Sequence, residues 1–181
     1  MQHLGTLQFD EKKFDLERAT IFGIFEPYGY VTWEIEIYPP GDSNHLMFSA
    51  IIIEGVFSPS QLSGQAYKGE RDTHDLYQHA VRVDGEGRFL ESVDMNFGNW
   101  DRTTQSIRLE GHGTIDEDDG LPAVRFRFSA MLNFTGLNLF ETSRNETQEF
   151  VDNYLQEFTD HVEVKYEQAE SGLHAMISGN F

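Results

Sequence analysis

The sequence predicts an all-β fold, an antiparallel β-sandwich or a closed β-barrel, built as a meander of about eight to ten strands with one C-terminal α-helix. Three observations carry that expectation. Val124, Phe126, Phe128, Ala130, Leu132 and Phe134 are apolar, and Arg125, Arg127, Ser129 and Asn133 fall between them, which is the period of a strand with one dry face. The same alternation recurs along the chain between turns rich in Gly, Pro, Asn and Asp. Those turns are short, so consecutive strands are expected to pair as hairpins.

The elements follow in order. Residues 5–9 and 14–25 read as the first strands, and Glu26-Pro27-Tyr28-Gly29 turns the chain into a strand over residues 30–38. There Val31, Trp33, Ile35 and Ile37 mark a dry face, opposite Thr32, Glu34 and Glu36. After Pro39-Pro40-Gly41-Asp42, residues 46–57 are apolar on both parities, with Phe48, Ala50, Ile52 and Val56 against Met47, Ile51, Ile53 and Phe57. That pattern predicts a strand covered on both faces.

Residues 76–83, 89–97, 104–116 and 124–134 complete the strand series, separated by turns at Asp84-Gly85-Glu86-Gly87, Gly98-Asn99-Trp100-Asp101 and Glu117-Asp118-Asp119-Gly120. Ser143 and Glu146 stand at capping-box spacing, and Phe150, Val151, Tyr154, Leu155 and Phe158 share one helical face, which predicts a helix over 143–158. Residues 162–167 and 173–178 read as closing strands. The polar stretch 58–75, with at best a short strand around residues 65–68, is long for a connection in a compact domain, so it is expected to be disordered or plain surface decoration, or else a lid or binding loop.

A single domain spanning residues 1–181 suits this length. The chain has 15 Phe, 7 Tyr and 2 Trp to fill a core, and no cysteine, which removes thiolate metal sites, disulfides and thiol nucleophiles. Its 31 acidic residues against 13 basic ones give a formal charge of -18. That field opposes nucleic acid and anionic membranes, both bound largely through Lys and Arg. It keeps a protein dispersed, and it also suits a basic protein partner. With no basic-then-apolar leader in residues 1–10 and no apolar run long enough to cross a bilayer, the expected location is the cytoplasm.

The candidate site lies on the polar face of the hairpin between residues 104–116 and 124–134. A turn at 117–120 would set Glu110 opposite Arg127, His112 opposite Arg125, and Gly111 across from Phe126. Arg108, Glu110, His112, Arg125 and Arg127 then share one face, and guanidinium groups match carboxylate and phosphate geometry. The same arrangement also describes a solvated sheet face laced with ordinary ion pairs.

Asp72, His74, Asp75 and His79 have metal-ligand chemistry but no regular spacing, and His79 shares parity with Val81 and Val83, so a buried, hydrogen-bonded imidazole is expected there. The acidic turn 116–120 lacks the later bidentate Glu of a calcium loop. Glu34 and Glu36 share a strand face, as either acid–base work or solvation would require. No Gly-x-Ser-x-Gly elbow and no phosphate-cradling loop is found.

The sequence therefore leads to an acidic domain with no cofactor and no metal, a non-catalytic binding or interaction protein whose partner is a basic protein or a small anionic ligand. The alternative is a binding protein or enzyme for an anionic ligand, with its site in a barrel mouth or on a sheet face.

Overall fold

A computed structural model describes residues 4–26, 28–70, 79–117, 120–155, 162–169 and 172–179. The strands are β1 (Gly5–Phe9), β2 (Lys12–Asp15), β3 (Arg18–Glu26), β4 (Tyr30–Tyr38), β5 (His45–Ile52), β6 (Ala66–Glu70), β7 (Ala80–Val83), β8 (Glu86–Arg88), β9 (Leu90–Asp101), β10 (Ser106–Ile115), β11 (Val124–Thr142), β12 (Val162–Ala169) and β13 (Gly172–Gly179). Among the described residues, the α-helix α1 (Arg144–Tyr154) lies between β11 and β12, and a 3-10 turn, Pro59–Leu62, precedes β6.

All 13 strands among the described residues belong to one sheet, with the main path β6-β9-β10-β11-β3-β4-β5-β7-β8. The sheet is curled and open, a half-barrel. Among the described residues it is not a ring without edges, because β6 pairs only with β9 and β8 only with β7. Nor is it purely antiparallel: β11 runs parallel to β3 from Asn133↔Thr20 to Leu139↔Phe25.

β11 explains that departure. It continues to Thr142, well beyond the expected end at Phe134, and serves two sets of neighbours. Its first half lies between β10 and β1, and its second half between β3 and β13. The register against β3 slips between Phe134 and Leu137. Gly136 sits at that slip with φ +138, where an added Cβ would be 2.9 Å from the Ile177 carbonyl oxygen. A glycine is needed there both for conformation and for close approach.

The apolar face of the curl closes on itself. Trp33, Phe48, Ile21, Ile35, Ile37, Leu46 and Met95 are fully buried. Phe126 and Phe128 stack at 6.4 Å, and Phe128 meets Phe48 across the interior at 5.7 Å. Burying a side chain of this size stabilises a fold by about 1.5–3 kcal/mol. Bulky rings thus let a modest apolar content fill the core.

The two-parity apolar pattern of residues 46–57 has a different cause from the one expected. β5 ends at Ile52, and a bulge sets Ser49 and Ala50 against Glu34 alone, since Trp33 pairs with Ile51 but Ile35 with Phe48. The bulge flips the parity, so Leu46, Phe48 and Ile51 all point inward while Ile52 is 47% exposed. Ala50 takes φ 53, in the left-handed region. Side chains hold the bulge: Ala50 N–H donates to Glu34 Oε1 at 2.8 Å, and Ser49 N–H donates to His79 Nδ1 at 3.0 Å. Glu36 faces Arg18 at 3.5 Å, so both acids of β4 have structural partners. Thr32, expected on the wet side, is buried.

Three further boundaries differ. The expected strand 14–25 is broken at Leu16–Glu17, where Leu16 N–H turns to Gly5 O and Glu17 N–H to Tyr38 O. Residues 98–101 lie inside β9 rather than in a turn, which falls instead at residues 102–105. The stretch 58–75 contains the 3-10 turn and edge strand β6.

At α1 the capping box forms as its spacing implies, with Ser143 N–H donating to Glu146 Oε2 at 2.7 Å and Glu146 N–H to Ser143 Oγ at 3.2 Å. Phe150, Val151 and Leu155 are buried. Phe158 and the remainder of the expected helix lie outside the described residues.

Candidate functional site

Five strands in the order β6-β9-β10-β11-β1 present one polar face. Alternation places their outward residues in rungs across the sheet. One rung runs Lys68, Asp94, His112, Arg127, Gln8 and continues to Lys13 on β2. The next runs Glu70, Ser92, Thr114, Arg125.

The hairpin register differs from the expected one. His112 lies opposite Arg127, Thr114 opposite Arg125, Glu110 opposite Ser129, and Gly111 opposite Phe128. The strands close at Ile115↔Val124, which leaves residues 116–123 as the connection in place of 117–120. Because the slip is by an even number, every side chain keeps its face. The polar cluster survives with altered neighbours.

A groove of about 790 Å³ opens on this face. His112, Arg125 and Arg127 line it, together with Gln8, Asp10, Glu11, Lys68, Glu70, Ser92, Asp94 and Thr114. The turn between β1 and β2 forms one wall and is pinned to β11: Arg125 N–H donates to Asp10 Oδ1 at 3.1 Å, and Asp10 N–H donates to Arg125 O at 2.8 Å. Gln8 Nε2 also donates to Asp10 O.

The cations differ in how they are held. Arg127 donates through Nε at 3.0 Å and Nη2 at 2.8 Å to Gln8 Oε1. Lys68 Nζ reaches Asp94 at 2.9 Å, and this hydrogen bond raises its pKa above the ordinary lysine value. The Arg125 guanidinium and the His112 imidazole have no hydrogen-bond or ion-pair partner among the described residues. Arg108 and Glu110, the other two expected site residues, do not line the groove. They pair with each other at 2.7 Å, and Arg108 also reaches Ser129 Oγ at 3.3 Å.

Sequence reasoning missed Lys68, Glu70, Ser92, Asp94, Gln8 and Asp10. The signal for β6 was there, since Tyr67 and Gly69 are buried between exposed Ala66, Lys68 and Glu70. The sequence shows a short strand around residues 65–68, but so short a run inside a polar stretch does not reveal that it pairs with β9.

No three His, Asp or Glu side chains gather for a metal among the described residues. Asp72, His74 and Asp75 lie outside them. His79 is buried and its Nδ1 accepts from Ser49 N–H, a structural role. In the acidic turn, Asp118 and Asp119 also lie outside the described residues, while the carbonyls of Asp116 and Pro122 accept from the Arg88 guanidinium.

No family model, curated protein or solved structure matches the chain. The groove's own chemistry must carry the reading.

Proposed function

We propose that this chain is a non-catalytic binding protein that takes a small ligand bearing one anionic group, such as a carboxylate, in the groove over β9, β10 and β11. The observation that carries the reading is the Arg125 guanidinium, which lines the groove beside His112 with its hydrogen-bonding capacity unspent among the described residues. The residue's backbone is fixed on both sides by Asp10, so the ligand would meet a pre-positioned donor.

The lining also limits the charge of the ligand. Lys68, Arg125 and Arg127 face Asp10, Glu11, Glu70 and Asp94, and the whole chain carries -18. A polyanion would be repelled; a single carboxylate forking onto Arg125 would not. Among the described residues no groove hydroxyl is hydrogen-bonded to His112, which supports binding without nucleophilic catalysis. No described helix is long and apolar enough to cross a membrane, and the proposal places the chain in the cytoplasm without a cofactor.

A thermal-shift screen against small carboxylates, phosphate and neutral analogues tests the proposal. A charge-assisted arginine bond contributes about 1.5–3 kcal/mol, so Arg125→Ala should weaken a carboxylate hit about 10–100-fold. Arg125→Ala/Arg127→Ala should remove it altogether. A carboxylate-induced shift that survives in the double variant defeats the proposal. The second reading, docking of a basic protein, is favoured by the net charge of -18.

A further inference from the structure

We propose a second site, independent of the anion groove: the cleft between α1 and the C-terminal half of β11 binds a small organic cation with an apolar body, an alkyl- or aryl-ammonium. The cleft has a volume of about 320 Å³, at the lower end of the range of small-molecule sites. Phe25, Leu139, Phe140, Phe150 and Tyr154 supply its apolar lining, while Glu146, Glu149 and Asn153 stand along α1. Among the described residues, no Lys, Arg or His lines it.

The aromatic lining is held in place by its own packing. Phe25 contacts Phe150 at 4.3 Å, and Tyr154 stacks on Phe57 at 4.2 Å with the planes 23° apart. Phe140 meets His174 edge-on at 4.8 Å and remains 44% exposed, and Tyr154 is 37% exposed.

The carboxylates are the second, independent feature. Glu146 is held by Ser143, and the hydrogen bond between their side chains keeps its carboxyl below the ordinary value, so it stays ionised at neutral pH. The Glu149 carboxylate has no hydrogen-bond or ion-pair partner among the described residues. Ring faces attract a cation through their quadrupole, and carboxylates attract it through charge. A neutral apolar ligand uses only the rings, and an anion is repelled by both. The net charge of -18 also draws cations from solution.

The test is calorimetric titration of the full chain with benzyltrimethylammonium, with benzyl alcohol and benzoate as the neutral and anionic controls. Saturable binding of the cation is expected, weakened about five-fold by Phe140→Ala and about three-fold by Glu149→Gln. Arg125→Ala should leave it unchanged, which separates this site from the anion groove. Phe140→Leu keeps the apolar bulk and removes the ring, so it serves if the alanine variant fails to fold. The proposal is overturned by absence of saturable binding, by equal binding of benzyl alcohol, or by indifference to both substitutions, the last marking diffuse attraction to an acidic surface.

Discussion

Replacing Gly113 with alanine would put a methyl carbon 2.1 Å from the Ser92 carbonyl oxygen and 2.6 Å from Cζ of Phe126. Gly113 is not at positive φ, so its glycine is required by space and not by backbone conformation. The Phe126 ring has room to turn only at the expense of core packing. The Ser92 carbonyl belongs to a ladder residue of β9, and moving it disturbs the pairing of β9 with β10. Overpacking of this kind costs about 1–3 kcal/mol, and a backbone collision puts Gly113→Ala at the upper end, about 3 kcal/mol. For a chain of this size that corresponds to a melting temperature lowered by about 6–12 °C. With a urea slope of about 2 kcal/mol/M, the unfolding midpoint should fall by about 1.5 M. Urea melts followed by tryptophan fluorescence measure this directly. Adding Phe126→Leu should restore little, because the backbone contact remains. Gly111→Ala should cost less, since it meets the end of the Phe128 ring at 2.5 Å but backbone only at 3.0 Å. A Gly113→Ala midpoint equal to that of the parent chain, or full recovery on adding Phe126→Leu, would refute this account of the groove floor.

Two other perturbations have a defined sign. Ala50→Gly should raise stability by about 0.5 kcal/mol, because relief of left-handed strain of about 1–2 kcal/mol outweighs the entropy cost of glycine of about 0.5–1 kcal/mol; Ala50→Val should lower it, and paired chemical melts rank the three. Burial, followed by the charge of Arg82, depresses the pKa of His45 below its ordinary 6.5. The folded state therefore binds fewer protons there than the unfolded chain: the residue's contribution is fully present above pH 6.5 and is lost as pH falls toward the folded pKa. His45→Phe should flatten that part of the stability profile. A profile unchanged below pH 6.5 would show that His45 does not set it.

Period-two alternation in residues 30–38 and 124–134, the capping box at Ser143 and Glu146, and the turn residues were enough to place most strands and the helix, because these signals depend on neighbours in sequence. The same locality hid the bulge at Ala50, whose shifted parity reads as a strand covered on both faces. It also hid the parallel pairing of β11 with β3, which needs Asn133 beside Thr20, residues that no local pattern relates.

At the site, period-two alternation alone puts His112, Arg125 and Arg127 on one polar face, because parity survives any even slip in register. Which residues face one another, that Arg108 turns to Glu110 and away from the groove, and that Lys68, Asp94, Glu70, Gln8 and Asp10 join from strands remote in the chain all depend on how the sheet assembles. Strand pairing is a long-range interaction. Its register is fixed by the packing of rings such as Phe126 and Phe128 over Gly113 and Gly111, contacts that exist only once the sheet has curled.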